Sequence, residues 1–326
     1  MNPFNVVARM VTASVLMAVA GTAAAQQDYP NKPIRFITSY AAGGSTTIVA
    51  RLIGQKLTES WGQQLLVDNR PGGNGFIGGE ALTKSPPDGY TIMLAGSTHF
   101  LTPLLLKAPY DPIKDFTPIA TIGKSEHVLL LNPSVPGNSL KEFIAYARSR
   151  PGELNYATPG AGGPQHMAHE LLNLLAEIKT QHIPYKGASL ALTDLLGGQV
   201  QMYFSTAVTA IPHVNSGKLK AMAITGANRM PALHNVPTFD EAGLSGLSKI
   251  GGYFGIVGPA GMPKPIIDKL SAEVARHLAL PAFQEKLIAN GLEPFISTPE
   301  QYATLVKEGL ATNANIIKKA NIQIEQ

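Results

Sequence analysis

Short runs of β-branched and aliphatic residues alternate along this chain with stretches whose apolar positions fall at helical spacing, the sequence signature of parallel α/β units. Strands are predicted over residues 34–39, 65–68, 90–95, 127–132, 154–157, 200–204, 219–225 and 253–257. Between the first two, Ile48, Val49, Leu52, Ile53, Leu57 and Trp61 share one face of a helix that begins near Ser45. Ser139 with Glu142, and Thr298 with Gln301, have the spacing of capping boxes. Beyond Val257 the pattern turns wholly helical, over 266–278, 281–290 and 299–318. The length allows two lobes, and because no internal repeat or low-complexity linker interrupts the pattern, a boundary between them has to run through hinge segments. Residues 127–132 are one predicted crossing, and the segment before Tyr253 is the other.

The first 25 residues stand apart from this alternation. Arg9 is their one charge, an apolar run over 10–20 follows, and Ala23-Ala24-Ala25 offers the small side chains of a signal-peptidase site, so cleavage is expected before Gln26. The apolar run falls short of the roughly 20 residues that span a bilayer. Without that segment 301 residues remain, with 25 basic against 22 acidic side chains and a net charge of +3. That small, dispersed excess gives no basic stripe for nucleic acid. Cysteine is absent, so neither disulfides nor an acylated cysteine is expected, and the hydrophobic core must hold the fold. The expected location is the periplasm.

Enzymatic motifs fail on inspection. Gly123-Lys124-Ser125 ends like a P-loop, but Pro118 occupies the position of its first glycine. No G-x-S-x-G nucleophile elbow exists. His166, His169 and Glu170 match neither order of a helical zinc motif, so histidines that cap, pack or face water are expected, with no metal and no cofactor.

Two glycine-rich turns remain, each leaving a strand and entering a helix: Tyr40-Ala41-Ala42-Gly43-Gly44-Ser45-Thr46-Thr47 and Thr158-Pro159-Gly160-Ala161-Gly162-Gly163-Pro164-Gln165-His166. Glycine lets a ligand approach the backbone, and the free amides and dipole of a helix start favour an anion. Each turn is thus a half-site for a carboxylate or a similar oxyanion, although such turns are also ordinary α/β connections. Ser97 and Thr98 end another strand with hydroxyl donors, or cap a helix.

Several motifs resemble the Bug family of periplasmic solute-binding proteins, the receptors of tripartite tricarboxylate transporters. They include Tyr29-Pro30-Asn31-Lys32-Pro33, Asn69-Arg70-Pro71-Gly72, Pro87-Asp88-Gly89-Tyr90, His182-Ile183-Pro184-Tyr185-Lys186-Gly187 and Asp194-Leu195-Leu196-Gly197-Gly198-Gln199, in that order. The resemblance implies an α/β, type II periplasmic-binding fold whose two lobes close on a ligand. Lobe 1 would comprise 26–125 and 250–326, and lobe 2 would comprise 126–249.

The same resemblance implies no catalysis. Its ligand contacts would be Tyr40, Ala41, Gly43, Gly44, Ser45, Thr46, Thr47, Ser97 and Thr98 from lobe 1, with Tyr253 on a hinge strand. Lobe 2 would supply Thr158, Gly160, Ala161, Gly162, Gly163, His166, Ser205 and Thr206. The implied partners are a small carboxylate and the integral membrane permease subunits of such a transporter, or alternatively a membrane sensor to which an orphan receptor reports. A monomer is expected. Thr47 departs from the family's usual aspartate, which implies a changed ligand set, and Ala41-Ala42 stands where proline commonly precedes the glycines.

Overall fold

The structure, a computed structural model, describes residues 29–247 and 250–320; the expected signal segment 1–25 and its cleavage site lie outside the described residues. Two sheets organise the chain. The first has the strand order β2 (Leu65–Asn69), β1 (Ile34–Thr38), β3 (Thr91–Gly96), β10 (Gly252–Pro259), β4 (Phe116–Ser125) and β11 (Glu293–Pro294). The second runs β7 (Gln181–Pro184), β6 (Asn155–Thr158), β8 (Met202–Thr206), β5 (His127–Leu131) and β9 (Lys220–Ile224). In both, one strand pairs in parallel with a neighbour on each side, and an antiparallel strand stands fourth.

Burial on both faces explains the near-continuous apolar strands. Along β1, Ile34 and Phe36 enter one core with Val49, Ile53 and Leu57 of α1 (Ser45–Trp61) and Leu270 of α8 (Lys264–Leu278). Ile37 points the other way, to Phe100 of α3 (Thr98–Leu101) and Tyr302 of α10 (Pro299–Ala320). In β5, Leu129 and Leu131 face Phe143 of α4 (Leu140–Arg148), whereas Val128 and Leu130 face Leu195 of α6 (Ala188–Leu196). This is the period-two alternation of a strand covered on both sides.

The chain passes from β4 to β5 through the single residue Glu126, ahead of the expected crossing, because 127–131 already belongs to the second sheet. It returns between β9 and β10. Three strands escaped the sequence reading: β4, β7 and β11. The expectation that the chain is wholly helical after Val257 is corrected by β11, which pairs with Lys124 and Gly123 of β4 between α9 (Pro281–Ala289) and α10. Gly123-Lys124-Ser125 is therefore strand, with no helix start to hold a phosphate.

The box at Thr298 closes reciprocally, with the Gln301 amide donating to Thr298 Oγ1 at 3.2 Å and the Thr298 amide to Gln301 Oε1 at 2.9 Å. At Ser139 half of it forms, since Glu142 accepts from the amide of Asn138 instead. No helix of the described residues is long and apolar enough to cross a membrane.

Candidate functional site

The two glycine-rich turns leave β1 and β6, each the middle one of three parallel strands at one side of its sheet. The neighbours of each middle strand lead to opposite sides, so a crevice opens beyond its C-terminal end. That topology, and not the glycines alone, aims the starts of α1 and α5 (Pro164–Ala176) at one space between the sheets. The cavity there measures about 40 Å³ as swept by the centre of a water-sized sphere.

Of the expected residues, Tyr40, Gly44, Ser45, Thr46, Ser97, Thr98, Thr206 and Tyr253 line the cavity. Pro159, Pro164 and Gln165 of the second glycine-rich turn line it as well, together with Gly96, His127, Ala188, Gly252 and Phe254, which the sequence did not single out as contacts. Ala188 begins α6, and Thr206 precedes α7 (Ala207–Asn215), so two more helix starts reach the same wall.

No charged side chain lines the cavity, and burial holds the His127 imidazole down to about 4, hence neutral. An anion here must be held by neutral donors. Gly44, Gly163 and Gly187 are the N-caps of α1, α5 and α6, and none offers a side-chain acceptor that would consume a first-turn amide. Thr46 Oγ1 is buried at the cavity wall with no hydrogen-bond partner, a state costly enough to mark a place for a polar ligand atom. Burial raises the Tyr40 hydroxyl well above its usual range, with Thr98 partly opposing, so it stays a protonated donor. The Tyr253 phenol is also raised by burial, and its ring stacks on Phe100.

The other expected residues act on the loops or on the opposite lobe. Thr47 Oγ1 accepts from Asn69 Nδ2 at 2.8 Å and does not line the cavity. The same Asn69 amide reaches Thr38 Oγ1 at 2.6 Å and the Tyr40 carbonyl at 2.9 Å, clipping both ends of the first turn to the end of β2. Asn69 was visible in the sequence only as part of a motif. Asn69→Ala should cost about 1–3 kcal/mol of stability through the orphaned acceptors, read as a lower urea midpoint.

Ser205 Oγ pairs with Thr209 Oγ1 at 2.6 Å. Thr158 Oγ1 donates to the Gly160 carbonyl at 2.9 Å and meets His182 Nε2 at 2.7 Å. A hydroxyl has one proton, so His182 carries its own on Nε2. The His166 ring stacks on His182 at 4.0 Å, and its Nδ1 accepts the Gly162 amide at 3.1 Å, supporting the second turn from beneath. Burial first, and His182 second, hold His166 down to about 3. His169 Nε2 is occupied by the Phe204 amide at 3.0 Å, which is packing chemistry and not metal ligation.

Ala41, Gly43, Gly160, Ala161 and Gly163 lie where the lobes meet. A Cβ at Gly163 would stand 3.0 Å from Thr98 Cγ2, and one at Gly160 would stand 2.8 Å from Asn74 Oδ1. A Cβ at Gly187 would stand 3.2 Å from the Ala41 amide nitrogen, and one at Gly43 would stand 3.9 Å from Ser189 Cβ. Glycine in these turns thus serves the approach of lobe to lobe as much as the approach of a ligand to backbone.

Residues 49–322 match the family model described as "Tripartite tricarboxylate transporter family receptor". The chain belongs to that family. It is 32% identical to Protein BugT of Bordetella pertussis over 326 residues, 98% of this chain and 100% of that one, in keeping with the Bug resemblance. Among solved structures, R. palustris Rpa4515 with adipate matches at TM-score 0.88 and 32% identity, covering 90% of this chain and 99% of that one. MatC from Rhodopseudomonas palustris with bound malate matches at TM-score 0.82 and 32% identity, covering 89% and 100%. The fold is the two-lobed α/β fold of periplasmic binding proteins, and the family is one of receptors, not of enzymes.

Proposed function

We propose that this chain is a periplasmic receptor that captures a small carboxylate between its lobes, closes on it, and delivers it to the membrane subunits of a tripartite tricarboxylate transporter. The observation that carries this reading is the uncharged cavity into which glycine-capped helix starts converge from both lobes, with the unpartnered Thr46 hydroxyl at its wall. Each helix start supplies free amides and the positive end of a dipole, so a carboxylate is favoured without a cationic side chain. Because the two halves belong to different lobes, a ligand that touches both favours the closed state by the contacts that the open state lacks. The dicarboxylates bound by the two Rhodopseudomonas relatives support this class. The reading takes 26–125 and 250–326 as one lobe and 126–249 as the other, with export through a signal cleaved before Gln26.

A thermal-shift screen of the protein starting at Gln26 tests it, with adipate, malate and other mono-, di- and tricarboxylates set against their amides. A binder at about 100 times its dissociation constant adds roughly 2.7 kcal/mol. Stabilisation by one acid class, lost on amidation, is the expected result. Stabilisation by the amides alone would sink the anion site.

A further inference from the structure

A direct hydrogen bond crosses the cleft. The Ala161 amide in the second-lobe turn donates to Asn74 Oδ1 of the first lobe at 3.1 Å. Among the described residues it is the one side-chain hydrogen bond between the lobes away from the two chain crossings. Its donor is an amide of the turn expected to grip the ligand, and the lobe itself takes that amide.

The placement of Asn74 is specific. It sits between Gly73 and Gly75 in the left-handed region, with φ 54° and ψ 31°, where asparagine is among the few side chains tolerated. Its turn rests on the first-lobe site, since a Cβ at Gly75 would lie 3.0 Å from the Tyr40 hydroxyl. Opposite, Gly160 leaves no side chain between Asn74 and the second-lobe backbone. This contact can exist only when the lobes are together, and it needs no ligand atom.

We propose that Asn74 is a latch that holds the closed lobes together and sets how long the solute stays bound, without touching the solute. This rests on the closure reading given above. The latch favours the closed lobes with or without solute and must break before release, so its loss is expected to speed dissociation and not to slow association.

Asn74→Gly removes the acceptor while keeping the left-handed backbone free of strain. Adipate or malate release from this variant, followed by stopped-flow tyrosine fluorescence, should be about 3- to 10-fold faster with association no slower, the effect of one hydrogen bond. Asn74→Asp keeps the acceptor and, at 0.5 M salt, where its charge is screened from an anionic ligand, should retain slow release. Unchanged release from the glycine variant, or equally fast release from both, overturns the latch.

Small-angle scattering of the ligand-free proteins is read alongside. The glycine variant should have the larger radius of gyration, and equal radii overturn the latch. If neither acid binds but the radii differ as expected, the latch stands and the carboxylate reading fails.

Discussion

Replacing Gly163 with valine is expected to weaken carboxylate binding by roughly 10- to 100-fold while leaving the urea midpoint of the ligand-free protein nearly unchanged. Gly163 is buried, yet its backbone, at φ −83° and ψ 174°, is extended and open to any residue, so the second lobe should fold with valine in place. The conflict lies across the cleft. A single Cβ there already comes within 3.0 Å of Thr98 Cγ2, and the two further methyl groups of valine are expected to push the lobes apart. Overpacking of this kind costs about 1–3 kcal/mol, felt only in the closed state, and each 1.4 kcal/mol is about tenfold in affinity. Opening the lobes also withdraws the first-turn amides of α5 from an anion held by α1. Gly163→Ala should fall between wild type and valine in calorimetric titrations with the acid found in the screen. Wild-type affinity in the valine variant would mean that the seam does not form on binding.

Much of this seam was legible in the sequence, but its purpose was not. Glycines between a strand and a helix are a local signal, and they located both turns. That Gly160 faces Asn74 and Gly163 faces Thr98 is a long-range fact that no local pattern encodes. Thr47 shows the same limit: its place in the first turn of α1 was readable, but Asn69 turns its hydroxyl from the cavity. Strand β4 was missed because Pro118 and Gly123 break its alternation. It is held by pairing with β10, with two register shifts along that ladder, and not by its own propensity. β11 has two residues and no periodicity to detect. The histidines were expected to cap, pack or face water. The structure separates them by depth, and that depth has a consequence for stability.

Acid should unfold this protein early. His99, His127, His166 and His169 are each nearly or wholly buried. Burial is the first cause that holds His99 and His127 down to about 4 and His166 to about 3, and it holds His169 well below its ordinary range. The half-buried His182, down to about 4, belongs to the same stack. Their bonding requires neutral rings: His166 Nδ1 and His169 Nε2 both accept backbone amides, and a proton on either nitrogen would face another donor.

The sign follows from where protons bind. In the unfolded chain these rings protonate near pH 6.5, whereas in the folded protein His99, His127, His166 and His182 resist until about pH 4 or below, and burial shifts His169 in the same direction. The unfolded state therefore binds more protons in that window, and stability falls as pH falls through it. Glu126 opposes the trend, since burial raises its carboxyl, but it is one group against several rings. Glu273, lowered to about 2 through its hydrogen bond with Arg276, gives up its contribution only at still lower pH.

At a ceiling of about 1.4 kcal/mol per ring per pH unit, four rings should remove roughly 5 kcal/mol or more between pH 6.5 and 4.5. That is a large share of the 5–15 kcal/mol typical of a folded protein, roughly enough to bring unfolding to room temperature near the lower limit. Urea midpoints measured from pH 7.5 to 4.5 should be flat above 7 and then fall steeply. His182→Asn, which can still donate to Thr158 from its amide, should make the fall shallower. A midpoint that stays level down to pH 4.5 would show that the rings are not held neutral by the fold.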